Sequence, residues 1–241
     1  MIIGIHQPHY FPWLGYFDKM AKSDVFILLD DVQMEKGSYM YRNRILDQNG
    51  RIVYLTISGD KHGFLHRSYK EIASSNDAVW LQKQAMAIKC AYQDSPYFDE
   101  VWHSIEDLFE PNAHTICSYC VRSVLRIKAL LGITTRIVMQ SDMIYDQTKQ
   151  KNDLVLELCK TLGADGYLSG NGAKKYTDES SFEKAGIRLR YQQCTLPTYQ
   201  QMHTSEFIGG LSILDALFAC GIKKTIALLQ SSVQNGKEFE G

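Results

Sequence analysis

Short runs of consecutive apolar residues recur along the chain and end in polar residues, and between them apolar positions repeat at helical spacing. The first run, Ile2 to His6, reads as a buried strand. Pro12 fits the first turn of a helix, where its missing N–H costs nothing. Leu14, Phe17, Met20 and Ala21 give that helix its apolar stripe, which ends near Ser23-Asp24. Val25 to Leu29 follows as a second buried strand and closes a βαβ-like unit. Thr135 to Met139, Gly166 to Ser169 and Ile187 to Tyr191 have the same character. A helical pattern from about Asp153 to Leu162 separates the first two of these, and Phe182 to Ala185 predicts a short helix before the third. Strands alternating with helices predict an α/β fold with a mostly parallel, Rossmann-like sheet covered on both faces.

The middle of the chain has another rhythm. Tyr39 to Ile45 and Arg51 to Ile57 bracket Leu46-Asp47-Gln48-Asn49-Gly50, a hairpin signal because Asn-Gly supplies the positive φ of a tight turn. Helical patterns follow at about Asp77 to Ala91, Pro96 to Leu108 and His114 to Leu131. Residues 36–130 therefore read as an inserted hairpin and helical subdomain within a single α/β domain spanning 1–241. Leu211 to Phe218 and Ile222 to Leu229 predict two helices packing back onto it. A mobile tail is expected from about residue 231, with Gln234 to Gly241 its clearest part. There are no internal repeats and no low-complexity linkers.

Composition narrows the function classes. The 26 Lys+Arg balance 27 Asp+Glu to a net charge of −1, which removes the electrostatic case for a DNA partner. No run of 18 apolar residues exists, so membrane insertion is not expected. No secretory signal is visible in Met1-Ile2-Ile3-Gly4-Ile5-His6-Gln7-Pro8, and a cytoplasmic location follows. Cys117 and Cys120, with His114, superficially suggest metal-ligand spacing, but they fall on the apolar stripe continued by Val121, Val124, Leu125, Ile127 and Leu131. They read as core cysteines, and no metal is expected. The 14 tyrosines are the unusual feature, since tyrosine suits surfaces that are apolar and hydrogen-bonding together.

Ligands of open parallel sheets bind beyond the carboxyl ends of the strands. Those ends here carry His6, Gln7, Pro8, His9 and Tyr10 after the first strand, and Asp30, Asp31 and Gln33 after the second. Gln140, Ser141 and Asp142 follow the third, and Ser169, Gly170, Asn171 and Gly172 the fourth, with Lys174 and Lys175 close behind. Glycines directly after a strand permit a backbone nest for an anion, although the same four residues can be a plain turn. Either histidine alone is more often structural than catalytic, whereas two histidines, a glutamine and a tyrosine within five residues favour a site. Asp215, inside the apolar run Leu211 to Phe218, is equally a solvated residue or a buried acid.

There is no Gly-x-Gly-x-x-Gly after the first strand, no Walker-type loop and no Gly-x-Ser-x-Gly elbow. The opening strand-loop-helix resembles that of nucleotidylyltransferases, whose His-x-Gly-His signature starts the first helix. Trp13-Leu14-Gly15-Tyr16 keeps the glycine and lacks both histidines, which argues against adenylyl transfer.

A longer resemblance runs through the chain. His6-Gln7-Pro8-His9-Tyr10-Phe11-Pro12-Trp13-Leu14-Gly15-Tyr16-Phe17, Asp30-Asp31-Val32-Gln33 and Arg42-Asn43-Arg44 are similar to segments of the WbqC-like family. So are Tyr167-Leu168-Ser169-Gly170, Tyr176, Phe182, Tyr199-Gln200 and Leu211-Ser212-Ile213-Leu214-Asp215. Tyr39-Met40-Tyr41 stands where the family usually has an aromatic, often Trp, before Arg-Asn-Arg. Lys151-Asn152-Asp153 lacks the arginine that usually follows. The resemblance implies an association with O-antigen and surface-polysaccharide biosynthesis, and transfer of glycine or another acyl group to the amino group of a sugar.

Such a transfer to a nucleotide-linked amino sugar needs a base and donors for the developing oxyanion. His6 or His9 is the candidate base, and Gln7 with the amides after Ser169 the candidate donors. Asp30 or Asp31, with Gln33 beside them, would meet a ribose or sugar hydroxyl. Arg42, Arg44 and Lys174 would meet diphosphate, with Asn43 between the arginines. Tyr10, Tyr176 and Tyr199, the last next to Gln200, would stack on a base or sugar. Gly170 and Asn171 complete the set. No tightly bound cofactor is expected; acyl-CoA or ATP would enter as co-substrate, and aminoacyl-tRNA is the least attractive donor. The alternatives are a non-catalytic nucleotide- or sugar-binding scaffold and an ATP-using nucleotidylyltransferase-like enzyme. The oligomeric state stays open.

Overall fold

The computed structural model describes residues 1–60, 62–75, 77–195 and 197–235. In chain order the elements are β1 (Ile2–His6), α1 (Leu14–Ala21), β2 (Val25–Leu28), β3 (Arg42–Leu46), β4 (Ile52–Thr56), α2 (Ala78–Tyr92), α3 (Phe98–Ile105) and α4 (Ile116–Leu130). They continue with β5 (Arg136–Met139), α5 (Lys151–Thr161), β6 (Gly166–Ser169), α6 (Glu179–Lys184), β7 (Arg188–Tyr191) and α7 (Ile213–Asn235). Short 3₁₀ turns lie between them.

Five strands form one parallel sheet in the order β5-β2-β1-β6-β7, so the α/β, mostly parallel expectation is met. β1 is central: Gly4 pairs with Phe26 of β2 on one side and with Leu168 of β6 on the other. The central strands β1 and β2 are apolar on both sides because both faces of the sheet are covered there, whereas the edge strand β7 alternates exposed and half-buried residues. Ile3, Ile5, Val25 and Ile27 pack with Leu154, Leu158 and Phe182 of α5 and α6. Phe26 and Leu28 point the other way, into a larger core with α1, α4 and α7. That second core continues without a break into the insertion, through Leu81, Ile88, Trp102 and Phe109. The insertion thus shares its apolar interior with one face of the sheet.

Local chemistry explains the boundaries. β3 and β4 pair antiparallel, with Gly50 at φ +74° in the turn and the Asp47 carboxylate accepting from the amides of Asn49 and Arg51. Asp77 caps α2, and Thr115 and Ser118 form a reciprocal capping box at the start of α4. α1 begins at Leu14 with Trp13 as its N-cap, so Pro12 lies just outside the first turn it was expected to occupy. α7 is two helices broken at Gly221, whose φ of +77° glycine tolerates. A Cβ there would also stand 2.6 Å from the Tyr97 ring. The helix runs to Asn235, so residues 231–235 belong to it rather than to a tail. The remainder of the expected tail lies outside the described residues. Cys117 and Cys120 are buried on the core face of α4. Among the described residues no helix is long and apolar enough to cross a membrane.

Candidate functional site

The chain leaves β1 toward β2 on one side, and returns on the other side as β6. The order therefore reverses between β1 and β6, the switch point at which open parallel sheets form their ligand crevice. His6 is the last residue of β1. Its ring meets that of His9 edge to face at 4.5 Å between centroids, and that of Tyr16 at 5.0 Å. The His9 ring also lies 5.7 Å from Tyr16 and 5.9 Å from Tyr39, which is exposed. A string of rings thus runs from the strand end to the surface.

His6 Nδ1 lies 3.1 Å from the Gln7 carbonyl, and the Tyr16 hydroxyl donates to the same oxygen at 3.1 Å. A carbonyl only accepts, so Nδ1 carries the hydrogen and Nε2 keeps its lone pair. Burial, then the neighbouring His9 and Lys19, hold His6 well below the usual imidazole value. Burial takes His9 down to about 3. Both imidazoles are therefore neutral at physiological pH.

Lys19 stands behind this pair. It is 3% exposed on the sheet side of α1, where its Nζ donates to the Ile5 carbonyl at 2.7 Å. Burial lowers its pKa to about 7, with Cys159 opposing the shift. Its ammonium also lies 6.0 Å from the Tyr167 ring centre on β6.

The loop after β1 is held in an unusual shape. Phe11 has φ +40°, and its backbone is tied down at both polar atoms. The Ser123 hydroxyl bonds with its N–H at 3.0 Å, while Asn43 Nδ2 and the Ser212 hydroxyl donate to its carbonyl at 2.7 and 2.8 Å. Asn43 also donates to the Tyr10 carbonyl at 3.0 Å. Strain of this kind persists only where its surroundings over-determine it. Asn43 is thus a clamp on the histidine loop rather than a group open to ligand. Arg44 has a related task, donating to the carbonyls of Gly209 and Gly210 at 3.3 and 2.9 Å. Arg42 bonds with the Gly37 carbonyl and lies over the Tyr54 ring.

The acids after β2 are occupied. Asp30 is buried, and its carboxylate accepts from the Ser141 amide and hydroxyl at 2.9 and 2.6 Å, which joins the ends of β2 and β5. Asp31 accepts from Ser68 at 2.6 Å and Lys70 at 2.7 Å, fastening the insertion to the sheet. Burial raises its pKa, but those two bonds outweigh it and hold the carboxyl below its usual value. Gln33 is exposed, and its backbone bridges to Ser68.

The end of β6 differs from the expected nest. Gly170 is extended at φ −74°, and neither it nor Gly172 takes a positive φ, so the alternation a nest needs is absent there. Asn171–Lys175 forms a 3₁₀ turn instead. Ser169 is fully buried, Asn171 Nδ2 donates to the Gln192 carbonyl, and the Lys174 ammonium lies 5.4 Å from the Tyr191 ring centre.

The three tyrosines expected to stack part company. Tyr10 is 3% exposed within the core, and Tyr176 is 82% exposed. The Tyr199 hydroxyl donates to Asp215 at 2.8 Å, beside Gln201 at 2.9 Å and Tyr92 at 3.3 Å. Asp215 is thus a buried acid with three donors; burial raises its pKa and those bonds restrain the rise. Gln200 is exposed and bonds with backbone carbonyls of its own loop.

The rings of His6 and His9 come together, and Gln7 meets His6 through its backbone carbonyl. Tyr16, Lys19 and Tyr39 join them and were not named as site residues from the sequence. A tyrosine and a lysine at i and i+3 share one helix face, and that spacing was the signal available. A recess of about 360 Å³ lies elsewhere, between α1, α7 and the segment Leu131–Thr135 at the amino ends of the strands.

Comparison with known proteins gives three findings. The model of a family described as the WbqC-like protein family matches residues 7–227. The uncharacterized protein Rv1507c of Mycobacterium tuberculosis is 31% identical over 222 residues, covering 91% of this chain and 94% of that protein. No solved structure matches.

Proposed function

The chain belongs to the WbqC-like protein family, and we propose that it transfers an acyl or aminoacyl group, such as glycine, to the amino group of a nucleotide-linked amino sugar in O-antigen or surface-polysaccharide biosynthesis. The observation that carries this reading is the pair of neutral imidazoles at the β1–β6 crevice. The amine attacks the acyl carbon, the C–N bond forms, and the leaving group departs with its electron pair. The proton lost by nitrogen passes to His6 Nε2, the ring atom left free by the Nδ1 contact with Gln7.

A strongly depressed imidazole is a weak base by itself. An anionic diphosphate drawn into the crevice raises the pKa of nearby histidines toward working pH, so the base gains strength only with substrate present. Lys174, in the turn just beyond β6, is the cation we assign to that diphosphate. Acyl-CoA or an ATP-activated amino acid supplies the acyl group as a co-substrate.

The test is to incubate the protein with nucleotide-linked amino sugars and either acyl-CoA or glycine with ATP, and to read amide formation by mass. A product heavier by the acyl increment is expected. Tight nucleotide-sugar binding with no amide from any donor would overturn transfer in favour of a binding scaffold.

A further inference from the structure

A second recess, of about 210 Å³, opens between the start of α1, the segment after β7 and the loop before α7. Trp13, Pro197, Tyr199, Phe207 and the Gly209-Gly210 strip form its walls, and no charged side chain lines it among the described residues. Two of these rings face outward although they are apolar: Trp13 is 39% and Phe207 44% exposed. Trp13 rests on Gly15, where a Cβ would come within 2.2–2.5 Å of three carbons of its six-membered ring. One side of the indole is thus backed by helix backbone and the other is open.

The walls are fixed in advance by hydrogen bonds. Gln201 bonds both ways with Ile208, donating to its carbonyl at 3.0 Å and accepting from its amide at 2.7 Å. Arg44 fastens the two glycines, and Asp215 fastens Tyr199, whose ring meets Phe207 edge to face at 5.3 Å. Gln192 Nε2 donates to the Gly15 carbonyl at 2.8 Å and to Asp18 at 2.7 Å, which locks the segment after β7 against α1. A preformed apolar recess with aromatic walls and no charge suits a neutral planar ring. Cavities for whole small ligands run to roughly 300–1,000 Å³, so this one takes one part of a larger molecule. Trp13, the N-cap of α1, is three residues before Tyr16, whose ring adjoins His6, so the recess and the histidines lie at the same end of that helix.

We propose that this recess receives the base of a nucleoside diphosphate, stacked on Trp13 and Phe207. The choice of ligand rests on the transferase reading, in which the acceptor sugar is nucleotide-linked. Base–aromatic stacking is worth about tenfold or more in affinity per ring.

The experiment titrates the full chain with UDP, ADP, inorganic diphosphate and butyrate, by calorimetry and by tryptophan fluorescence. Each titration is repeated on Phe207→Ala and on Trp13→Leu, after circular dichroism has shown native secondary structure. The expected result is that UDP or ADP binds, quenches tryptophan emission, and loses at least about tenfold in affinity in either variant, while diphosphate binding is unchanged. Nucleoside diphosphate affinity that is undiminished in both variants overturns the proposal. So does absence of nucleoside diphosphate binding at millimolar concentration, or butyrate binding that alone responds to the variants. Variant-sensitive nucleotide binding without any amide product leaves the recess standing and removes the transferase reading. Amide formation with variant-insensitive binding does the reverse.

Discussion

The imidazoles of His6 and His9 meet edge to face with centroids 4.5 Å apart, and both are held neutral, His6 by burial together with the nearness of His9 and Lys19, and His9 by burial. A pair of this kind behaves differently in the folded and unfolded chain, and that difference is measurable.

Unfolding in acid is the first consequence. In the unfolded chain both histidines titrate near 6.5, whereas in the native state His9 resists protonation down to about 3. The unfolded state therefore binds more protons across that window, and stability falls as pH drops below about 6.5. Each histidine contributes at most about 1.4 kcal/mol per pH unit. Urea midpoints measured from pH 7 to pH 4 are expected to fall steeply, and His9→Gln to flatten the slope. Parallel slopes for the two proteins would refute the account.

Turnover supplies the second. If His6 accepts the amine proton, His6→Asn lowers kcat by at least about tenfold, since positioned bases contribute roughly 10²–10⁴. His9→Asn removes the neighbour that helps hold His6 down, and is expected to shift the acid limb of the pH–rate profile upward. Unchanged turnover in both variants would remove the base role.

Lys19 gives the third. Its amine titrates near 7 in the fold and near 10.4 when unfolded, so between those values the unfolded chain holds a proton that the native state has lost. Stability accordingly rises with pH from about 7 toward 10, and below 7 the full cost of a buried ammonium is felt. Lys19→Met is expected to stabilise the protein by roughly 1–3 kcal/mol near pH 6.5 and to lose that rise. Thermal melts of both proteins at pH 6.5 and 9 decide it, and an identical pH response would count against a buried amine.

Asn43 gives the fourth. Asn43→Ala takes a donor from the Tyr10 and Phe11 carbonyls; Phe11 keeps the Ser212 hydroxyl, so the expected cost is about 1–3 kcal/mol for the Tyr10 carbonyl. It also loosens the backbone that holds Phe11 at positive φ. Chemical denaturation is expected to show the loss, and histidine resonances in NMR to show the rings of His6 and His9 released. A destabilised variant with unmoved histidine signals would mean that Asn43 supports the core but not the site.

Much of the framework was readable because buried parallel strands write themselves as apolar runs, as β1 and β2 do, while the edge strand β7 alternates Arg188, Leu189, Arg190 and Tyr191. The histidines were readable for a related reason, as polar residues crowded onto the end of the first run. Asp30 and Asp31 show where that reasoning stops. A carboxylate after a strand looks the same whether it faces a ligand or, as here, the Ser141 amide and the Lys70 ammonium more than thirty residues away. Lys19 was hidden by its neighbours, since a lysine among Phe17 and Met20 passes for the wet side of an amphipathic helix until the helix is found covered all round.

The central position of β1 has a consequence for how the molecule is made. Ile2 pairs with Gly166, so the middle strand of the sheet is synthesised first and waits for one neighbour until some 160 residues later. At roughly 5–20 residues per second that wait lasts on the order of ten seconds or more. Through it, β1 has only β2 to pair with, and the flank that will bind β6 is an open apolar edge on the nascent chain. This is where a ribosome-associated chaperone would do most for the yield of folded protein, and where a slow codon stretch before β6 would do most harm.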